Sequence, residues 1–361
     1  MVFERTSYLP KPGRFADVLA LRHRACAVRR EIGLASGDVL VERGAGGLDR
    51  VHWQCRFSTA AAQEEDLTIR DGSDAFRAVR EEMQKLVDGF ERQVLAQDAS
   101  GGSVLRPVPL DDVSIAPEEV EFPSGDRTLK GYLYLPPGPA PHPAMVMNHG
   151  SGIVQGTTEV CRPGVAAFLM AHGIAAFLPH RRGYGNSPGT PWREDVSADY
   201  GTETYDAQLS ARLASEAEDV VAALALLESR AEIDADHIGV MGSSFGGTVT
   251  LLASASCARF RCAVEFAGAA MNWQRAPGLR ATMHAAAERL TRPILFIQAA
   301  NDYSTAPTPA LAETARTAGV PGVEARIYPA FGLTKDEGHF FYKEGPHVWG
   351  PHVARFLERW L

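Results

Sequence analysis

The stretch Ile238-Gly-Val-Met-Gly-Ser-Ser-Phe-Gly-Gly247 decides how this chain is read. Ile238 to Met241 is a short apolar run, the pattern of a strand buried on both faces. Thr248 to Ser254 is compatible with a helix. Ser244 stands between them, with Gly242 and Gly246 two residues away on either side. A sharp strand-to-helix turn exposes a serine hydroxyl, and bulky neighbours would clash there, so glycine belongs at both flanks. The following helix aims its first N–H groups and its positive dipole end at the serine, where an oxyanion would form. Ser244 is therefore the candidate nucleophile, and a plain glycine-rich turn is the competing reading.

Working outward, residues 117–361 alternate strand and helix patterns. Apolar runs recur at Ala144–Met147, Ala175–Leu178, Ile238–Met241, Ala263–Phe266 and Ile294–Ile297. Between and after them lie helical patterns at Val165–His172, Leu209–Ser229, Thr248–Ala258, Pro309–Ala318 and Val348–Leu361. Glu118–Phe122 and Leu129–Leu135, separated by Ser124-Gly125-Asp126, read as an opening antiparallel hairpin. This alternation predicts an α/β fold with a doubly wound, mostly parallel sheet.

A serine nucleophile needs a histidine base held by an acid, and in such a sheet they follow in the order nucleophile, acid, histidine. Ile294 to Ala299 is an apolar strand that runs into Asn301-Asp302, so Asp302 is the candidate acid; Glu265, a charge inside the strand Ala263–Phe266, is its rival. His339 lies in the stretch 335–342, read as a loop between the strand Val323–Tyr328 and the terminal helix. It is the candidate base, with His347 next; His284 and His352 sit in helical surroundings. The oxyanion needs two N–H donors. Phe245 supplies one, and Ser151, in the loop after the strand ending Asn148-His149-Gly150, supplies the other. His149 comes too early in the chain to be the base.

Two segments are expected to roof the pocket. Pro188–Tyr205, read as a long loop, brings Trp192, Tyr200 and Tyr205; Ala267–Ala287 brings Met271, Trp273, Met283 and His284. Trp192, Trp273 and Met271 are the expected pocket residues. Arg181 and Arg182 either bind a substrate carboxylate or tie loops together through ion pairs.

Upstream, residues 1–97 follow the order β-α-β-β-α-β: strands at Val2–Tyr8, Val39–Glu42, Arg50–Phe57 and Arg92–Ala96, helices at 14–32 and Asp74–Phe90, and a glycine-rich turn at Gly44–Gly47. This is expected to be a small ferredoxin-like α+β domain that pairs with a second copy, because so short a chain makes a modest core. The small polar stretch from Ala96 to Ser103 opens a linker expected to span residues 98–116, followed by the catalytic domain at 117–361.

Bulk properties exclude several classes. The 361 residues carry a net charge of −8, which gives no reason to expect nucleic acid or an anionic membrane as partner. No apolar run approaches the roughly 18 residues that cross a bilayer. The start of the chain lacks a signal-peptide core. Five scattered cysteines suit a reducing cytoplasm, and none has a partner at metal-ligand spacing.

Residues 117–361 resemble the α/β-hydrolase superfamily, and most of all its dienelactone-hydrolase-like and prolyl-oligopeptidase-like serine esterases and peptidases. The motifs are Asn148-His-Gly-Ser-Gly152, Arg181-Arg-Gly-Tyr-Gly-Asn-Ser187, the Ser244 stretch, Asn301-Asp302 and Gly338-His339-Phe340. The resemblance implies a Ser244–His339–Asp302 triad, an acyl-enzyme, no metal or organic cofactor, and a carboxylic ester of a small or aromatic substrate; a small peptidase or amidase is the alternative. Dienelactone hydrolases use cysteine where Ser244 stands. Prolyl peptidases carry a β-propeller that the hundred or so upstream residues cannot form. Those upstream residues loosely resemble the dimeric α+β barrels.

Overall fold

The computed structural model describes residues 2–44, 49–57, 59–96, 105–111, 113–157 and 161–361. Most of the expected Gly44–Gly47 turn and the polar stretch from Gln97 to Ser103 lie outside the described residues. The chain divides into Met1–Gly102 and Ser103–Leu361.

The first unit comprises β1 (Val2–Pro10), α1 (Phe15–Glu31), β2 (Asp38–Glu42), β3 (Arg50–Phe57), α2 (Ala60–Gly72), α3 (Asp74–Leu86) and β4 (Val87–Ala96). Its sheet runs β2-β3-β1-β4, antiparallel throughout, which is the ferredoxin-like order. Period-2 alternation turns Val51, Trp53, Cys55 and Phe57 of β3 inward. The α3 helix offers Phe76, Val79, Met83 and Leu86 at helical spacing. It ends four residues earlier than the sequence suggests, and β4 starts where it stops. The α2 helix was not expected; it buries Gln63, Asp66 and Arg70 rather than an apolar stripe.

The second unit is built from β5 (Glu118–Ser124), β6 (Arg127–Tyr134), β7 (His142–Asn148), α4 (Pro163–Ala171), β8 (Ala175–His180), α5 (Trp192–Asp195), α6 (Glu203–Glu228), β9 (Ile233–Ser243), α7 (Phe245–Ser256), β10 (Ala263–Phe266), α8 (Pro277–Arg289), β11 (Ile294–Ala299), α9 (Pro307–Thr317), β12 (Val323–Tyr328), α10 (Lys335–His339), α11 (Phe341–Glu344) and α12 (Pro346–Trp360). The eight strands run β12-β11-β10-β9-β7-β8-β6-β5. The pairs β5–β6 and β6–β8 are antiparallel and the rest parallel. The α6 helix lays Leu209, Leu213, Val220, Leu224 and Leu227, all fully buried, along one side. Each such side chain contributes about 1.5–3 kcal/mol.

After β7 the chain turns to one side, toward β8; after β9 it turns to the other, toward β10. The loops leaving these adjacent strands therefore diverge and leave a crevice at their carboxyl ends. Two expected loops contain helix. The Pro188–Tyr205 stretch holds α5 and the first turn of α6, whose N-cap Thr202 accepts from the Tyr205 N–H. The 335–342 stretch is α10 followed by the start of α11, fixed by a capping box between Thr334 and Glu337. The second half of the expected linker is a strap on this unit: Arg106 and Val108 donate to the His172 and Ala171 carbonyls, and Leu105 is buried. Among the described residues no helix is long and apolar enough to cross a membrane.

Candidate active site

Ser244 sits between β9 and α7 at φ 60 and ψ −123, a strained backbone for a residue other than glycine. It is held there from both sides. Its N–H donates to Phe266 O of β10 at 3.0 Å, and its carbonyl accepts from Thr248 N of α7 at 3.0 Å. Gly246 lies so close to β7 that a Cβ there would overlap the carbonyl oxygens of Asn148 and His149. A Cβ on Gly150 would meet Ser244 Cβ at 3.2 Å, so the loop after β7 lies directly against the turn.

Asp302 follows β11 and its side chain is fully buried. Its Oδ1 accepts from His339 Nδ1 at 2.8 Å and from Tyr303 N at 2.6 Å. Its Oδ2 accepts from Gln298 Nε2 at 3.0 Å. Thr308 in turn donates to Gln298 Oε1 at 2.8 Å, which fixes the amide's orientation. His339 ends α10, and its Nε2 is 2.9 Å from Ser244 Oγ. With Nδ1–H donating to Asp302, the serine hydroxyl donates to Nε2. Asn301 pins the segment that carries the histidine: its amide donates to Phe331 O and Thr334 O and accepts from Phe331 N. Ser244, Asp302 and His339 are thus brought together from three separate strand ends.

The other histidines lie elsewhere. His347 is exposed, His284 bonds Thr314 at 2.7 Å, and His352 pairs with Glu324 at 3.0 Å. His149 braces the loop after β7. Its Nδ1–H donates to Gly150 O at 2.8 Å and its Nε2 accepts from Arg181 N at 3.4 Å. Burial, with Arg181 and His180 beside it, holds its pKa well below the ordinary histidine value, so it stays neutral. Arg181 and Arg182 are ion-paired, to Glu216 and Asp219 at 2.7 and 2.8 Å, and Arg181 also donates to the His149 carbonyl. Glu265 lies under the turn. One oxygen accepts from Gly268 N, and burial, with Asp302 nearby, pushes its carboxyl up to about 8.

A cavity of about 380 Å³ opens at Ser244 and His339, and Ser151 lines it. Of the expected pocket residues, Met271 lines it and is 47% exposed. Trp273 does not: it is buried in the core against His284. Trp192 is not a wall either. It packs edge-on against Phe245 at 5.0 Å and donates to Ser151 O at 3.1 Å. Sequence reasoning missed Arg162, Tyr303, Phe340, Tyr342 and Lys343, all of which line the cavity. Four are immediate neighbours of the acid or follow the histidine in sequence, a signal that was there to use. Arg162 gave none, because its left-handed φ of 51 at the start of α4 is invisible in a sequence. Among the described residues no group of His, Cys, Asp or Glu is arranged to hold a metal ion.

The second unit is similar to known proteins. It superposes on the Pyrococcus furiosus esterase Pf2001 with a TM-score of 0.50 at 18% identity, covering 70% of this chain and 96% of that one. The chain is 30% identical over 156 residues to the quorum-quenching protein AidA of Acinetobacter baumannii, covering 43% of this chain and 45% of the relative. It is 31% identical over 148 residues to the acyltransferase drtE of Aspergillus calidoustus, covering 41% of each. The chain thus spans less than half the length of these curated relatives. The dienelactone hydrolase family model matches residues 129–346, which include Ser244, Asp302 and His339. That span is more than half of the chain, and on it the chain belongs to the dienelactone hydrolase family.

Proposed function

We propose that the chain is a serine hydrolase that cleaves carboxylic esters of small or aromatic substrates through an acyl-enzyme. Family membership and the esterase fold support a hydrolase of ester or peptide type. The observation that carries the finer reading is the continuous relay from Asp302 to His339 to Ser244, at 2.8 and 2.9 Å.

In this reading His339 Nε2 removes the Ser244 proton as Oγ attacks the acyl carbon. The Phe245 and Ser151 N–H groups receive the oxyanion. The alcohol leaves with the proton from His339, and an acyl-serine forms. Water then gives a proton to His339 as it attacks, the acid departs, and the proton returns to Oγ. Asp302 holds the imidazole in the required tautomer and stabilises its charged form. Every proton and leaving group is thus handled by side chains and backbone of the second unit.

The test is hydrolysis of p-nitrophenyl acetate and labelling by a fluorophosphonate. Both are expected to vanish in Ser244→Ala; a mutant that labels and turns over like wild type sinks the reading. Rates on aminoacyl amides against aryl esters decide the amidase alternative. The acyltransferase name of drtE favours a second reading, in which another hydroxyl replaces water at the acyl-enzyme. Product analysis with added alcohol separates the two.

The N-terminal unit is assigned to pairing with a second copy, on the strength of Phe90, Val94 and Leu95 of β4, which are 59%, 52% and 49% exposed. Sedimentation of the full chain is expected to show a dimer that Leu95→Glu weakens. The five free cysteines of the whole chain support a reducing, cytoplasmic setting.

A further inference from the structure

We infer that the N-terminal unit carries a second small-molecule site, for a carboxylate with an aromatic or branched apolar body. A cavity of about 220 Å³ lies between the sheet at β1 and β4 and the helices α2 and α3. Its apolar wall is Trp53, Phe76, Val79 and Met83, with Phe90 at the exposed rim.

Its polar wall is unbalanced. Four guanidiniums, Arg22, Arg29, Arg70 and Arg92, stand in or behind it, against two carboxylates, Glu4 and Asp66. Both carboxylates are already taken. Glu4 accepts from Arg70, Arg92 and Gln63; burial opposes its charge, but these three donors hold it below the ordinary carboxylate range. Asp66 pairs with Arg29 and with Arg70 Nε at 3.1 Å. Arg80 and Asp71 at the rim neutralise each other at 2.9 Å.

Arg22 is left over. It is 4% exposed and lines the cavity, yet no described carboxylate meets it. Its contacts are the Tyr8 hydroxyl at 3.2 Å, the Cys26 sulfur at 3.8 Å and the Trp53 face at 4.9 Å, and its Nε has no partner. A buried cation without an anion is costly, and a guanidinium fork matches a carboxylate best. The ligand that completes the site brings the missing negative charge and lays its body on the apolar wall. The volume is below the roughly 300–1,000 Å³ of sites for drug-sized ligands, so the ligand is a small monocyclic or branched acid.

The experiment is calorimetric titration of the full-length Ser244→Ala chain with phenylacetate and 3-methylbutanoate, and with phenylacetamide as the uncharged control. One saturable site for the acids and none for the amide is expected. Arg22→Gln should weaken acid binding by roughly tenfold or more, the worth of a charged hydrogen bond. Arg92→Gln, at a partly exposed position, should weaken it as well and serves if Arg22→Gln loses its circular dichroism signature. Equal binding of acid and amide, unchanged affinity in these variants, or no saturation by either acid at millimolar concentration overturns the inference. Because the readout is binding to a chain without its serine, failure here leaves the esterase reading intact, and failure of that reading leaves this site intact.

Discussion

Trp192 donates its indole N–H to the Ser151 carbonyl while its ring packs against Phe245. One side chain thus braces both segments whose N–H groups are assigned to the oxyanion. Trp192→Phe keeps the ring and deletes the hydrogen bond. Its kcat on p-nitrophenyl acetate is expected to fall about tenfold with little change in KM, since the loss is felt where charge develops. A raised KM with unchanged kcat would make Trp192 a substrate contact instead.

Asp302→Asn is expected to lower kcat by roughly 10⁴ with the fold intact, because the amide no longer selects the Nδ1–H tautomer of His339. Gln298→Leu leaves the carboxylate in place and removes the hydrogen bond to its Oδ2, together with those to Ser304 O and from Thr308, and should cost less, about tenfold. Steady-state rates with matched melting curves check both. Wild-type turnover in Asp302→Asn would remove Asp302 from the mechanism.

Glu265 links stability to pH. Its carboxyl is held at about 8 against an ordinary 4.5, so the folded chain keeps a proton that the unfolded chain releases. That contribution is whole below pH 4.5 and is lost as pH rises toward 8. Glu265→Gln does not titrate. Urea denaturation should show the variant gaining on wild type by a few kcal/mol across that window. Parallel stability curves for the two proteins would mean that Glu265 ionises normally.

Gly246→Ala forces a methyl onto the Asn148 and His149 carbonyls. Overpacking of this kind costs about 1–3 kcal/mol or more, and the displaced turn should cost at least about 100-fold in rate. Gly164→Ala, in α4 with open space around its Cβ, is the control and should leave both melting temperature and rate unharmed.

What could be read in advance follows from what each residue does. The turn at Ser244, the strand before Asp302 and the hairpin β5–β6 are local patterns, so residue spacing exposed them. The α2 helix escaped notice because its inward residues are Gln63, Asp66 and Arg70, and a search for apolar periodicity is blind to a helix that buries ions. Trp192 and Trp273 were visible as large aromatics, but whether a tryptophan lines a cavity or supports it depends on contacts distant in sequence. Trp192 meets Ser151, 41 residues away. The strap that begins at Leu105 reads as linker because its prolines and polar residues hide Leu105, the residue that docks it.

The ion cluster around Glu4 sets how the two units can drift in sequence. Along the leucine face of α6 in the second unit, hydrocarbon meets hydrocarbon, and packing of that kind accepts change one methyl at a time. In the first, Glu4 answers Arg70, Arg92 and Gln63 together. Losing it strands several cations at once, and no single replacement restores the balance. Descendants of this chain should therefore keep Glu4, Arg29, Asp66 and Arg70 as a block or exchange them as a block, while the leucines of α6 wander freely among their aliphatic cousins.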